Sequence, residues 1–171
     1  MRELHELKLR FAVVKLLRTH PDAVTPSQRE GDVGFDLHSV QDGRIHPGET
    51  VAIDTGWKIA DAIQVDGIDP FTAYMKIEQR SSLALKGIFP VGGIIDPSYR
   101  GPLKVMIHNG CNSRIPGEGH WDLKVGDRIG QLVIYPVLAN TDTTKVKFFE
   151  VDEDEATETE RGEGGFGSTG R

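Results

Sequence analysis

Alternating apolar and polar side chains recur along this 171-residue chain, and this pattern restricts its fold more than any other feature. The alternation is clearest at residues 7–13, 51–59 and 103–108. A period of two is typical of strands with one buried face. Residues 129–138 are apolar enough for a strand buried on both faces, and residues 145–149 predict a short last strand.

Turn residues separate these segments, and helical periodicity is nearly absent. Asp-Gly, Pro-Gly and Asp-Pro pairs lie between the predicted strands, for example at 42–43, 47–48 and 96–97. The segment 81–86 allows at most one helical turn. Many short strands with such turns predict an all-β sandwich or jelly roll.

The charge of the chain is concentrated in one place. Lysine and arginine number 20 against 26 acids, a formal net charge of −6, and residues 152–160 hold six acids and no base. Without a basic stripe, the chain is not expected to bind nucleic acid through its phosphates. A single nucleotide needs few cations and stays possible as a ligand.

Cysteine content and hydropathy predict the compartment. The single Cys111 cannot form an internal disulfide or supply a CxxC metal site, which favours a reducing cytoplasm. No apolar run approaches the roughly 18–20 residues of a membrane span. The charged start of the chain lacks the apolar core of a signal peptide, so we expect a cytoplasmic protein without a membrane partner.

The glycine-rich end, residues 161–171, is the first candidate for binding chemistry. Gly162, Gly164 and Gly167 fit a dinucleotide-binding spacing, but no βαβ unit follows them, and a P-loop lysine is absent. Composition alone favours a disordered tail. Against that, Phe166 could stack on a base while the backbone N–H groups wrap an anion.

Four further segments carry candidate polar groups, each with a structural alternative. Arg80, Ser81 and Ser82 could bind an anion or only cap a helix. Asp96 could orient a water at the mouth of an apolar pocket or only form an Asp-Pro turn. Arg128 could contact a ligand or make an internal ion pair. Asp36, between apolar neighbours, could cap a turn or face a cation.

In order, these five segments resemble the five motifs of the trimeric deoxyuridine triphosphatase family. GDVGFDLHS, QRSSLA, GGIIDPSYRG, VGDRIGQL and RGEGGFGSTGR are similar to the first to the fifth. The resemblance runs from about residue 7 to the last residue. It implies a jelly-roll homotrimer with active sites at subunit interfaces, which hydrolyses dUTP to dUMP and pyrophosphate, keeps uracil out of DNA and supplies dUMP for thymidylate synthesis.

The resemblance also implies a role for each candidate residue. Asp96 would activate the water that attacks the α-phosphorus, and Tyr99 would pack on the deoxyribose and exclude a 2′-hydroxyl. Asp36 would fix a water bound to Mg²⁺, the expected cofactor. The remaining implied contacts fall into three groups: uracil recognition by the backbone of Gly93, Ile94 and Ile95 beside Lys104; phosphate binding by Arg80, Ser81, Ser82 and Gln131; and closure by Arg161, Phe166, Gly167 and Ser168.

The same resemblance predicts the domain organisation: a β domain over 1–151, an acidic linker over 152–160 and an arm over 161–171 that closes the site of a neighbouring subunit. Ser82 and Ser98 depart from the usual motifs, and Ser82 and the Asp96-Pro97 pair are similar to the related dCTP deaminases. That activity needs a glutamate where this chain has Met106. A non-enzymatic nucleotide sensor is the other alternative, and the long segment 56–77 has no assigned role.

Overall fold

The computed structural model of the protein describes residues 12–61, 64–65, 73–112 and 118–136, and these form an all-β fold. Its elements, in chain order, are β1 (Ala12–Val13), β2 (Leu16–Arg18), β3 (Phe35–His38), β4 (Gly43–Ile45), β5 (Thr50–Ile59), β6 (Gln64–Val65), β7 (Ala73–Glu78), α1 (Ser81–Ala84), β8 (Ile88–Pro90), β9 (Ile94–Ile95), β10 (Pro102–Asn109), β11 (Trp121–Leu123) and β12 (Arg128–Pro136).

Two four-stranded sheets make up most of this fold. One has the strand order β2-β5-β10-β8 and the other the order β3-β12-β7-β9, and all neighbouring strands are antiparallel. Two small pairs, β1 with β6 and β4 with β11, complete the set. Non-consecutive strands are neighbours in both large sheets, so the chain crosses between the sheets repeatedly.

Among the described residues, one hydrophobic core joins the two large sheets. Val105 and Ile107 of β10 are completely buried, and Ile129 of β12 is equally inaccessible from the other sheet. Gly130 lies where an added Cβ would meet Ile77 at 3.2 Å and Val105 at 3.4 Å, so β12 contacts both β7 and β10 there. The alternation read from the sequence therefore corresponds to side chains that point into one shared core.

The main strands confirm the sequence predictions. β5 and β10 coincide with the alternating segments 51–59 and 103–108, and α1 is the single helical turn expected at 81–86. Of the alternating segment 7–13, residues 7–11 lie outside the described residues and the last two form β1, with β2 following at Leu16–Arg18. The predicted strand at 145–149 lies outside the described residues. Within the described ranges, no helix is long and apolar enough to span a membrane.

An irregularity in β12 determines which of its side chains share a face. Arg128 lies opposite His38, but Gly130 lies opposite Leu37 and Gln131 opposite Asp36, so β12 has one extra residue against β3. Residues three apart in a regular strand point to opposite faces. The bulge places Arg128 and Gln131 on the same face, beside Asp36.

A second irregularity joins β5 to β10. Leu103 lies opposite Trp57, whereas the next residue, Lys104, lies opposite Asp54. Gly56 takes a φ of 72° inside this bulge, and the Thr55 hydroxyl donates a 2.6 Å hydrogen bond to the Leu103 carbonyl. The rearrangement brings the Lys104 ammonium within 3.5 Å of the Asp54 carboxylate at the sheet surface.

Candidate functional site

The first candidate site is a polar cleft at one end of the sheet formed by β3 and β12. It has a volume of about 420 Å³ and is lined mainly by polar atoms. We call it the polar cleft. Its lining comes from the loop before β3, from β3 itself, from the start of α1 and from β12: Ser27, Gln28, Arg29, Asp32, Gly34, Asp36, His38, Arg80, Ser81, Arg128 and Gln131.

Asp36 holds two arginines in this cleft. Its Oδ1 accepts a hydrogen bond from the Arg80 guanidinium, and its Oδ2 accepts one from Arg128 at 3.3 Å. The carboxylate is 28% exposed and Arg80 21%, so this pair is shielded more than an ordinary surface pair. The internal ion pair considered for Arg128 is confirmed, and Asp36 orients both guanidinium groups within the cleft.

Gln131 is fixed by two contacts. Its Nε2 donates a 2.8 Å hydrogen bond to the Gln79 carbonyl. On the other side, Gly34 leaves room for it, because a Cβ at position 34 would lie 2.2 Å from Oε1 of Gln131. The side chain therefore occupies space that only glycine at position 34 provides.

His38 lies beside the paired arginines, and its surroundings favour the neutral form of its imidazole. Burial, the largest cause, lowers the pKa of His38, and the nearby Arg128 and Arg80 lower it further against the opposing effect of Asp36. Its Nδ1 is buried without a hydrogen-bond partner among the described residues. A neutral imidazole adds no positive charge to the cleft.

The second candidate site is an apolar cavity between β9, β10 and β5. It has a volume of about 320 Å³ and is lined mainly by apolar side chains, with Asp96 and Lys104 as its charged members. We call it the apolar cavity. Within the described ranges its lining is Ala52, Ile77, Gly93, Ile94, Ile95, Asp96, Tyr99, Pro102, Leu103, Lys104 and Met106.

Asp96 begins the turn that borders the apolar cavity. The Tyr99 amide donates to the Asp96 carbonyl at 3.0 Å, and Arg100 donates to the carbonyls of Pro97 and Tyr99, so the Asp-Pro turn considered from sequence is present. The Asp96 residue is exposed, and its carboxylate makes no hydrogen bond or ion pair with the described part of the chain. The turn thus presents a free carboxylate at the cavity.

Two glycines shape the walls of the apolar cavity. Gly93 has a φ of 105°, and an added Cβ would lie 2.9 Å from the Ile77 carbonyl oxygen. Gly101 lies under the ring of Tyr99, whose hydroxyl would be 2.2 Å from a Cβ at that position. Tyr99 in turn donates a 3.1 Å hydrogen bond to the Pro102 carbonyl. Glycine at both positions permits close approach of backbone and ring.

The predicted site residues divide between the two cavities, which share no lining residue among those that the structure describes. Asp36, Arg80, Ser81 and Gln131 line the polar cleft, and Gly93, Ile94, Ile95, Asp96, Tyr99 and Lys104 line the apolar cavity. Ser82 is exposed and lines neither. Neither serine caps α1, because its N-cap is Arg80 and has no side-chain cap. Arg161, Phe166, Gly167 and Ser168 lie outside the described residues.

Comparison with known proteins decides the family. A family model described as dUTPase matches residues 21–170. A deoxyuridine 5'-triphosphate nucleotidohydrolase of Picosynechococcus sp. is 38% identical over 92% of this chain and 98% of its own length. One from Nautilia profundicola is 36% identical over 92% of this chain and 99% of its own. The chain belongs to the dUTPase family.

Solved dUTPases also share its fold. A dUTPase of Staphylococcus bacteriophage 80alpha, solved with dUPNHPP, has a TM-score of 0.71 at 24% identity and covers 93% of this chain and 99% of that chain. A dUTPase from phage phi11 of S. aureus, whose study concerns coordination of a structural Mg(II) ion, has a TM-score of 0.65 at 21% identity, with 82% and 99% covered. The all-β prediction is thereby supported.

Several residues that line the polar cleft were not singled out from the sequence. Arg29, Asp32 and His38 all line the polar cleft. Arg29 belongs to a loop whose sequence signal is its polarity, whereas Asp32 and His38 lie within the segment that resembles the first motif but received no role of their own. The bulge in β12 gave no periodic signal either, so the sequence did not reveal that Arg128 shares a face with Gln131.

Proposed function

We propose that this dUTPase-family protein hydrolyses dUTP to dUMP and pyrophosphate, with Asp96 directing water onto the α-phosphorus. The observation that carries the proposal is the exposed Asp96 carboxylate, free of protein partners in the described ranges, at the edge of an apolar cavity. A carboxylate without an ion-pair partner can accept a proton from an attacking water. Pyrophosphate leaves when the bond between the α-phosphorus and the bridging oxygen breaks.

The apolar cavity suits the uracil and deoxyribose of the substrate. Its walls are apolar, and the Tyr99 ring is held by its hydrogen bond to Pro102 at the same turn as Asp96. A fixed ring against the sugar leaves no space for a 2′-hydroxyl. Gly93 allows a base to approach the backbone, which can offer its N–H and C=O groups.

The polar cleft suits the triphosphate. Arg80, Ser81 and Gln131 provide a guanidinium, a hydroxyl and an amide as donors. Charge-assisted hydrogen bonds from an arginine to phosphate oxygens are stronger than neutral ones. Donors held in place before the substrate arrives stabilise the charge that develops in phosphoryl transfer.

An Mg²⁺ that arrives with the triphosphate would be held in the cleft through a water that hydrogen-bonds to Asp36, because Mg²⁺ prefers oxygen ligands. No cluster of three or more metal-ligating side chains occurs in the part of the chain that is described. Both oxygens of Asp36 contact arginines, but a carboxylate has about four lone-pair sites, so it can also accept a hydrogen bond from a metal-bound water. When bound, the ion supplies neutralisation of phosphate charge.

We further propose a jelly-roll homotrimer in which each active site combines the polar cleft of one subunit with the apolar cavity of another. The separation of the two sets of candidate residues on one chain supports this arrangement. The arm, residues 161–171, would then close the shared site, and 152–160 would link it to the β domain. We also propose that the protein acts in the cytoplasm, because a chain with a single cysteine has no internal disulfide and suits a reducing compartment.

A nucleotide panel tests the proposed reaction. Pyrophosphate release is measured for dUTP, dCTP, dTTP and UTP, with and without Mg²⁺. We expect dUTP to be hydrolysed with strong preference, and Asp96→Asn to retain dUTP binding while losing about 10²–10⁴-fold in kcat. Equal rates on dCTP or dTTP would overturn the assignment. Ammonia release from dCTP is not expected, because the thioether of Met106 in the cavity cannot transfer protons.

Mixed oligomers test the shared site. Subunits with Asp96→Asn and subunits with Arg80→Gln are each purified, confirmed as folded oligomers, and then mixed after dissociation. If sites combine two subunits, about a quarter of the sites in random mixtures pair an intact cleft with an intact cavity and regain activity. If each site lies within one chain, the mixture stays as inactive as its components.

A further inference from the structure

Three arginines line the polar cleft, and their surroundings differ. Arg80 and Arg128 both contact the Asp36 carboxylate, so one negative charge is shared by two positive ones. Arg29 also lines the cleft, but it has no ion pair or side-chain hydrogen bond within the described parts of the chain. Of these three arginines, Arg29 therefore has the guanidinium with the fewest protein partners in the described ranges.

Two backbone hydrogen bonds hold the loop that carries Arg29. The Asp36 amide donates a 2.7 Å hydrogen bond to the Ser27 carbonyl, which forms a bridge between this loop and β3. The Asp32 amide donates to the Arg29 carbonyl at 3.1 Å and closes a turn. The backbone of Arg29 is therefore tied to the same strand that presents Asp36, while its exposed side chain borders the cleft.

The charges that line the polar cleft explain why binding a triphosphate would draw on the Arg29 guanidinium. Asp36 partly neutralises its two arginines, and Asp32 places a second carboxylate on the cleft wall. A nucleoside triphosphate brings about four negative charges at neutral pH, so donors without a carboxylate partner favour it most.

We propose that Arg29 is a further substrate-binding residue, which contacts the distal phosphates of the triphosphate at the rim of the polar cleft. This inference rests on the proposed function. A guanidinium can donate two parallel hydrogen bonds to phosphate oxygens, a geometry that a lysine ammonium does not reproduce. Because the β- and γ-phosphates leave together as pyrophosphate, Arg29 affects binding of the triphosphate more than binding of the monophosphate product.

The test compares Arg29→Gln and Arg29→Lys with wild type. The control Arg44→Gln removes the same charge from β4, where Arg44 pairs with Asp122 outside the cleft. KM and kcat are measured for dUTP, and Kd for dUMP and for a dUTP analogue with an imido group between the α- and β-phosphorus. The binding measurements do not require turnover.

We expect Arg29→Gln to raise KM for dUTP and Kd for the analogue about tenfold, which corresponds to about 1.4 kcal/mol. The Kd of Arg29→Gln for dUMP should change less than about twofold. The KM and the analogue Kd of Arg29→Lys should lie between those of wild type and Arg29→Gln, whereas Arg44→Gln should match wild type in both constants. Equal losses for dUMP and the analogue, or no loss at all, would overturn the inference. A wild type that binds the analogue but does not hydrolyse dUTP would instead overturn the proposed function alone.

Discussion

Gly101 supports Tyr99 through its lack of a side chain, and replacing it with alanine should relax selection against ribonucleotides. An alanine Cβ would lie 2.2 Å from the Tyr99 hydroxyl and 2.3 Å from its Cζ. Gly101 does not have a positive φ, so alanine strains the position of the Tyr99 ring rather than the backbone. The tip of the ring must move away by about 1 Å to restore ordinary contact distances.

This displacement sets the expected magnitudes. The hydrogen bond from Tyr99 to the Pro102 carbonyl is already 3.1 Å long and would be lost, at a cost of about 0.5–1.5 kcal/mol in the free energy of unfolding. A misplacement of about 1 Å at a site can cost up to about 10²-fold in rate. We expect the ratio of kcat/KM for dUTP to that for UTP to fall about tenfold, or about 1.4 kcal/mol.

The assay is pyrophosphate release from dUTP and UTP at substrate concentrations far below KM. Gly43→Ala is the matched control, because a Cβ at position 43 has its nearest neighbour, a methyl of Leu123, at 4.0 Å. Tyr99→Phe separates the ring from its hydroxyl and should keep most of the preference for dUTP. Unchanged selectivity in Gly101→Ala would refute the view that the ring position excludes the 2′-hydroxyl.

Three further predictions concern the polar cleft and the adjacent strand β7. Gly34→Ala should displace Gln131, raise KM for dUTP about tenfold and leave the melting temperature within a few degrees of wild type; an unchanged KM would contradict the role of Gln131. Asp36→Asn should also raise KM, although it adds positive charge, because its two arginines lose their orientation; a lower KM would show that net charge alone governs binding. The hydrogen bond from Lys76 holds the pKa of Glu78 below its usual 4.5, so stability from this carboxylate is present above that pH and lost below it. Urea unfolding between about pH 6 and pH 3.5 should therefore show a shallower loss for Glu78→Gln than for wild type.

The long elements could be predicted from the sequence because side-chain alternation reports burial directly. β5 and β10 each extend over eight or more residues and bury every second side chain along most of their length, so a period of two is visible. Strands of two to four residues, such as β4 and β9, are too short to show any period. Pairing with distant parts of the chain decides where they form.

The site was only partly predictable, for a related reason. Motif residues such as Asp96 and Gln131 could be singled out by type and neighbourhood, and both line cavities. The pairing of Asp36 with Arg128 depends on an extra residue in β12, which a local pattern cannot reveal. Ser82 shows the opposite case, since it lies within a motif and yet lines neither cavity.

The position of water attack tests the central claim most directly. Hydrolysis of dUTP in ¹⁸O-labelled water, followed by mass spectrometry of both products, identifies the phosphorus that receives the new oxygen. Attack at the α-phosphorus, directed by Asp96, predicts the label in dUMP and none in pyrophosphate. Label in pyrophosphate would mean attack at the β-phosphorus and would contradict the assignment of Asp96 and its cavity to this reaction.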